Sequence, residues 1–176
     1  MLTIKLSAIA HFLGVCATLL PYLDGSLPKA ILKLPHLKQI SFWANYLSGN
    51  IPPEWADTKL EIMSLGMNRL SGKIPRSLGK ITTLKSLNIE NNMFSGTVPP
   101  ELGDLVNLES LALSANYLSG ELPSALANLT GLKTLRLNSN NFTGRIPGFI
   151  QSWKQLDALD PSWWFHHHWK NHLRSR

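Results

Sequence analysis

Six copies of one phrase run along the chain: Gly25-Ser-Leu-Pro28, Gly49-Asn-Ile-Pro52, Gly72-Lys-Ile-Pro75, Gly96-Thr-Val-Pro99, Gly120-Glu-Leu-Pro123 and Gly144-Arg-Ile-Pro147. Successive glycines stand 24 residues apart, with a single step of 23 between Gly49 and Gly72. A fixed period of this length leaves few folds open. One such unit cannot bury its own apolar side chains, so units must stack on one another as a solenoid with covered ends.

Aligning the copies exposes the rest of the unit. One apolar column holds Leu37, Leu60, Leu84, Leu108, Leu132 and Leu156, and three residues on stand Ile40, Met63, Leu87, Leu111, Leu135 and Leu159. Two further on come Phe42, Leu65, Ile89, Leu113 and Leu137, then Asn45, Asn68, Asn92, Asn116 and Asn140. Alternation over the second and third columns is the period of a short strand with one face inward. The asparagine carries donors and an acceptor that can satisfy backbone groups freed where the strand bends, so stacked copies form a ladder.

This spelling resembles the leucine-rich repeat, and its Leu/Phe-x-Gly-x-Ile/Leu/Val-Pro segment, as in Leu70-Ser-Gly-Lys-Ile-Pro75, resembles the plant-specific class. Glycine there permits a turn at positive φ, while proline ends strand pairing and fixes φ for the return path. Pairs such as Leu78 with Ile81, Leu102 with Leu105 and Leu126 with Leu129 have the spacing of short 3₁₀ or helical turns. The expected fold is an α/β repeat, a plant-type leucine-rich-repeat solenoid. A parallel β-sheet lines its concave face and 3₁₀ or short helices line the convex one, with five complete repeats plus partial ones.

The 23-residue step deletes one position on the convex path. Pro52 to Leu60 is one residue shorter than the corresponding path in neighbouring repeats, and the lost position is the apolar one held elsewhere by Leu34 or Ile81. Trp55 is therefore expected to lean inward and fill the gap, with irregular backbone at Ala56 to Lys59.

Three segments follow from the pattern. Residues 1–20 read as a signal peptide, with Lys5 before an apolar run from Leu6 to Leu20, or as a degenerate first repeat with Leu13, Cys16 and Thr18 in the strand columns. Residues 21–160 are the repeat domain, and residues 161–176 are expected to be a disordered tail. That tail holds four of the six histidines and three of the 17 basic residues, with no acid, so residues 1–160 carry only +3 of the formal +6 charge. A nucleic-acid partner is not implied. His166, His167, His168 and His172 lie without carboxylate or thiolate neighbours, and no metal or other cofactor is expected. Cys16 is the only cysteine, which excludes an intramolecular disulfide.

The run from Leu34 to Ala56, with Asn45-Tyr-Leu-Ser-Gly-Asn-Ile-Pro-Pro-Glu-Trp-Ala56, resembles the extracellular repeats of plant leucine-rich-repeat receptor-like kinases, especially the group whose repeats precede a malectin-like domain. The resemblance implies part of a cell-surface or extracellular ectodomain that binds a peptide, a glycan or another receptor's ectodomain. No kinase motif occurs in the 176 residues: there is no V-A-I-K, H-R-D or D-F-G. A truncated receptor product is thus one reading; a secreted inhibitor similar to polygalacturonase inhibitors and a nonfunctional gene fragment are alternatives. No catalytic residue is expected, since the glutamates recur at repeat spacing instead of converging.

Recognition is assigned to strand positions that face away from the core. The column Lys38, Glu61, Lys85, Glu109, Lys133, Asp157 alternates in sign and is read mainly as repeat-to-repeat register. The columns beside it carry Trp43, Met67, Glu90, Asn91, Arg136 and Asn138, which are the candidate ligand-binding residues. Asn128-Leu-Thr130 and Asn141-Phe-Thr143 are N-glycosylation acceptors if the chain enters the secretory pathway.

Overall fold

The computed structural model describes residues 16–18, 22–145 and 147–159. The expected tail at 161–176 with its histidines lies outside the described residues, as do 1–15 and 19–20 of the N-terminal segment.

Each repeat supplies one short strand to a seven-stranded sheet whose spatial order is the chain order: Cys16–Thr18, Gln39–Ser41, Ile62–Ser64, Ser86–Asn88, Ser110–Ala112, Thr134–Arg136 and Ala158–Leu159. All pairings are parallel, which a chain achieves only by crossing back through the rest of each repeat. Among the described residues the return runs through six 3₁₀ helices of five residues, Lys29–Lys33, Pro53–Asp57, Arg76–Lys80, Pro100–Asp104, Ser124–Asn128 and Gly148–Ser152. Every one follows the proline of its repeat, whose φ of −61° to −78° admits the first turn. The expected choice between 3₁₀ and other short helices falls entirely to 3₁₀ among the described residues.

Between these layers lies one continuous core. Ile40, Met63, Leu87, Leu111 and Leu135 point inward from the strands, meeting Ile31, Leu78, Leu102 and Leu126 from the 3₁₀ turns, and none is more than 1% exposed. At roughly 1.5–3 kcal/mol for each buried aliphatic, stacking outweighs what any lone repeat could gain.

The asparagine ladder forms as expected. Asn92 Nδ2 donates to the carbonyls of Leu65, Ile89 and Glu90 at 3.0–3.1 Å, and its Oδ1 accepts the Leu70 N–H at 2.9 Å. Asn68, Asn116 and Asn140 repeat this pattern one unit apart. Asn45 also accepts a backbone N–H from the preceding repeat, that of Leu23. Asn45, Asn92 and Asn116 are buried, whereas Asn68 and Asn140 are half-buried.

Trp55 is wholly buried and its indole N–H reaches the Pro28 carbonyl at 3.2 Å. It occupies the column of Ile31 and Leu78, and Thr58 takes the cap position that Leu34 and Ile81 hold in the flanking repeats. The irregularity expected over Ala56 to Lys59 is confined to its second half, because the 3₁₀ helix holds through Asp57. Thr58 then leaves at ψ 166°, where the equivalent caps elsewhere have ψ between 57° and 77°.

Two features depart from the sequence reading. Cys16–Thr18 does pair with Gln39–Ser41, but Ala17 and not Cys16 stands opposite Ile40, one residue from the 24-residue count. Beyond the ladder, the strands Asp24–Ser26, Tyr46–Gly49, Arg69–Lys73, Met93–Gly96, Tyr117–Gly120 and Asn141–Phe142 make a second parallel sheet that periodicity did not announce. The phrase glycines take positive φ in or just after these strands, and Gly49, Gly96 and Gly120, at +80°, +80° and +76°, end theirs before the chain turns to its proline.

Candidate binding site on the concave face

Outward-facing residues of the seven-stranded sheet form columns because parallel registry sets each strand opposite its equivalents: Ser41, Ser64, Asn88, Ala112 and Arg136 lie in line. The next outward column is Trp43, Gly66, Glu90, Ser114 and Asn138. These two columns make a trough with Trp43 and Arg136 at opposite ends, Asn88 and Glu90 at its middle and small side chains on the strands between.

At one end stands Trp43, 41% exposed, with its indole laid over the backbone of Gly66. At the other, Glu90, Arg136 and Asn138 converge. Arg136 reaches back two strands to Glu90 Oε2 at 3.7 Å, and the strand between carries only Ala112 and Ser114 in these columns. Asn88 fixes the carboxylate further: its Nδ2 donates to Glu90 Oε2 at 3.3 Å, and its Oδ1 accepts the Glu90 N–H at 3.0 Å. The Ser114 hydroxyl donates to Asn138 Oδ1. Glu90 is only 8% exposed, so it serves to hold Arg136 in place more than to offer a free carboxylate.

Met67 and Asn91 are placed differently from expectation. They belong with Ala44, Ala115 and Ser139 to a column that has left the strand, every member having φ between 52° and 56°. This left-handed turn aims the next residue, the ladder asparagine, into the core. Met67, 48% exposed, and Asn91 therefore form the rim of the trough and not its floor. Asn88, Gly66 and Ser114 are the contributors that sequence reasoning did not select; Gly66 alone carried a signal, being the glycine of the repeat that turn geometry does not require.

The charged column bordering the trough pairs along most of its length. Lys38 and Lys85 flank Glu61 at 3.3 and 2.9 Å, and Lys133 meets Glu109 at 2.7 Å. Hydrogen bonding, first from Lys85 and then from Lys38, holds the Glu61 carboxyl below its ordinary range; Lys133 does the same to Glu109, and the bond to Glu61 raises Lys85. These ions satisfy one another, which leaves the trough neutral along this edge.

Asn128 ends its 3₁₀ helix exposed, and Asn141 is exposed in the second sheet, so both sequons stand away from the trough. Among the described residues no helix is long and apolar enough to cross a membrane.

Residues 59–81, 83–105, 107–129 and 131–153 match the Leucine Rich Repeat family model. A probable leucine-rich repeat receptor-like serine/threonine-protein kinase of Arabidopsis thaliana is 53% identical over 65 residues, 37% of this chain and 6% of the relative; a second Arabidopsis receptor-like kinase is 45% identical over 63 residues, 36% of this chain and again 6% of the relative. The chain thus spans about 6% of the length of these curated relatives. Among solved structures, the plant peptide hormone receptor RGFR1 in complex with RGF2 superposes with a TM-score of 0.77 at 36% identity, over 79% of this chain and 22% of that one. The Arabidopsis receptor kinase HAESA, in complex with the peptide hormone IDA and the co-receptor SERK1, gives 0.74 at 40% identity, over 77% and 23%.

Proposed function

This chain belongs to the leucine-rich-repeat family, and from that premise we propose that it is a non-catalytic recognition module whose concave trough binds an extended peptide. The observation that carries the reading is the preformed line from Trp43 across Gly66 and Asn88 to the Glu90–Arg136 pair, on the one face where packing leaves residue choice free. Structural neighbours solved with peptide hormones support a peptide over a glycan. A receptor ectodomain is the second kind of partner, supported by the neighbour solved with its co-receptor.

Trp43, Met67, Glu90, Asn91, Arg136 and Asn138 divide the work. Trp43 and the rim residue Met67 supply apolar contact, Arg136 and Asn138 supply donors, Asn91 lines the rim, and Glu90 holds Arg136. Homology to receptor-like kinases supports a cell-surface or extracellular location, and the Asn45–Ala56 wording supports the group whose repeats precede a malectin-like domain. On that location Asn128 and Asn141 carry glycans, set on the convex turn and the second sheet where they leave the trough open.

The test is a binding screen of the purified chain, by biolayer interferometry, against a panel of apoplastic peptides and receptor ectodomains. At least one peptide should bind, and both Trp43→Ala and Arg136→Ala should weaken it about tenfold or more, as for truncated hot-spot contacts. Absence of any bound peptide, or equal binding by both variants, would remove the reading.

A further inference from the structure

We infer that Gly66 is a positioning residue of this site: its missing side chain is the seat on which Trp43 lies flat, and the resulting aromatic shelf takes an apolar side chain of the bound peptide. The inference rests on the peptide reading above.

Gly66 sits in an outward-facing column yet is buried, because the Trp43 indole covers it. Its backbone gives no reason for glycine. Six other glycines of the repeats adopt φ between 76° and 97°, whereas Gly66 lies outside the left-handed region. Nor does the column require it, since Glu90, Ser114 and Asn138 hold the equivalent position with full side chains. What requires it is room. A Cβ on Gly66 would stand 2.5 Å from Trp43 Cε3, closer still to Cζ3, and 2.9 Å from Asn88 Oδ1.

Asn88 cannot retreat without losing its bonds to Glu90, so the indole alone could yield and would have to swing off the strand. With glycine in place, the Cε3–Cζ3 side of the indole is held against Gly66 while the residue keeps much of its surface open to solvent. Such a shelf offers apolar contact with little ordering left to be done on binding. Met67, bonded to Gly66, continues the apolar surface to the rim, and hydroxyls of Ser41 and Ser64 border it. The fit is to a peptide segment with one apolar side chain set among neutral polar groups.

The shelf can be tested first without ligand, by ¹⁹F NMR of protein labelled with 5-fluorotryptophan. Trp43→Phe identifies the Trp43 resonance among the six tryptophans. Gly66→Ala should move that resonance and leave the other assigned signals in place, while exposing Trp43 to acrylamide quenching; an unmoved resonance overturns the inference. Should Gly66→Ala lower Tm sharply or fail to fold, the Trp43→Ala/Gly66→Ala pair should fold and lose far less Tm relative to Trp43→Ala than Gly66→Ala loses relative to wild type, because the closest clash is then gone and only the 2.9 Å approach to Asn88 Oδ1 remains. Failure of that rescue would mean that room for Trp43 is not what Gly66 provides, and the inference falls.

Binding is read with a phage-displayed dodecapeptide library panned on the wild-type chain. Peptides enriched there should lose about tenfold or more on Gly66→Ala, as on Trp43→Ala. Loss on Trp43→Ala with full binding to Gly66→Ala sinks the role of Gly66 and leaves the peptide reading standing. No enriched peptide sinks the peptide reading itself, and the shelf's purpose with it, whatever the NMR shows.

Discussion

Asn92 holds four backbone groups at once, three carbonyls through Nδ2 and the Leu70 N–H through Oδ1. No other small side chain presents a donor pair and an acceptor in that fork. Asn92→Ala should therefore destabilise the chain by about 3 kcal/mol, since each buried group left unmade costs roughly 1–3 kcal/mol. Asn92→Asp should do no better, because it sets an oxygen against three carbonyls. Urea unfolding midpoints decide both, and a loss under about 1 kcal/mol would show the ladder to be ornamental. The opposite sign is expected at Ala44, held at φ 55° and exposed. Ala44→Gly relieves a left-handed cost of about 1–2 kcal/mol and loses about 0.5–1 kcal/mol through chain entropy, a net gain near 0.5 kcal/mol. The asparagines were legible because one chemistry repeats at one spacing. The left-handed column was not, for Ala44, Met67, Asn91, Ala115 and Ser139 share nothing but their place before the ladder, and this is why Met67 and Asn91 pass for strand positions in the sequence and stand in the left-handed turn in the structure.

At the scale of the repeat element, Trp55 is the answer to a one-residue deletion. On this account its indole serves two core positions, its own and the apolar one whose cap Thr58 now holds. Trp55→Leu refills only the first and should cost about 2–3 kcal/mol, within the range for shrinking a buried side chain. Inserting one leucine after Asp57 in that variant restores the 24-residue period and should recover most of the loss; a further fall in Tm would refute the two-position account. The charged column is a second element with a defined pH signature. Glu61 and Glu109 have depressed folded pKa values, so their stabilisation is present above the unfolded carboxylate value and is lost as pH falls through the folded one. Lys85, raised, contributes below its unfolded value and loses that contribution as pH rises through its folded one. The Tm should hence show a plateau from about pH 5 to about pH 10 with both shoulders weakened in Lys85→Met, and salt should shrink the difference because these groups are exposed. An acid shoulder identical in the two proteins would deny the ladder any energetic role. Sign alternation made this column readable in sequence. The second sheet escaped notice because each Tyr-Leu-Ser-Gly stretch has one buried position, too few for a period of two to appear.

Across the whole molecule, stability is a sum over repeats and their interfaces, so equivalent residues should differ only by their number of neighbours. Phe94 and Phe142 hold the same column. Phe94 is stacked between repeats on both sides and fully buried, while Phe142 is half-buried at the last complete step. Ile150 and Leu156 are likewise only partly buried, in contrast to their fully covered equivalents Leu126 and Leu132. Phe94→Ala should cost about 4 kcal/mol, near the usual penalty for emptying an aromatic site, and Phe142→Ala about half that. Amide exchange should follow the same gradient. Strands Ile62–Ser64, Ser86–Asn88 and Ser110–Ala112 should open only with global unfolding, and Ala158–Leu159 should open first. The trough spans this gradient, with Trp43 towards one end and Arg136 towards the other, so a peptide lying along it would bridge repeats of unequal stability. Bound peptide should slow exchange at Thr134–Arg136 more than at Ser86–Asn88, which is already limited by global opening. Uniform protection of all strands by the peptide would instead indicate a ligand that binds the folded state without bridging, and the lengthwise pose would be wrong.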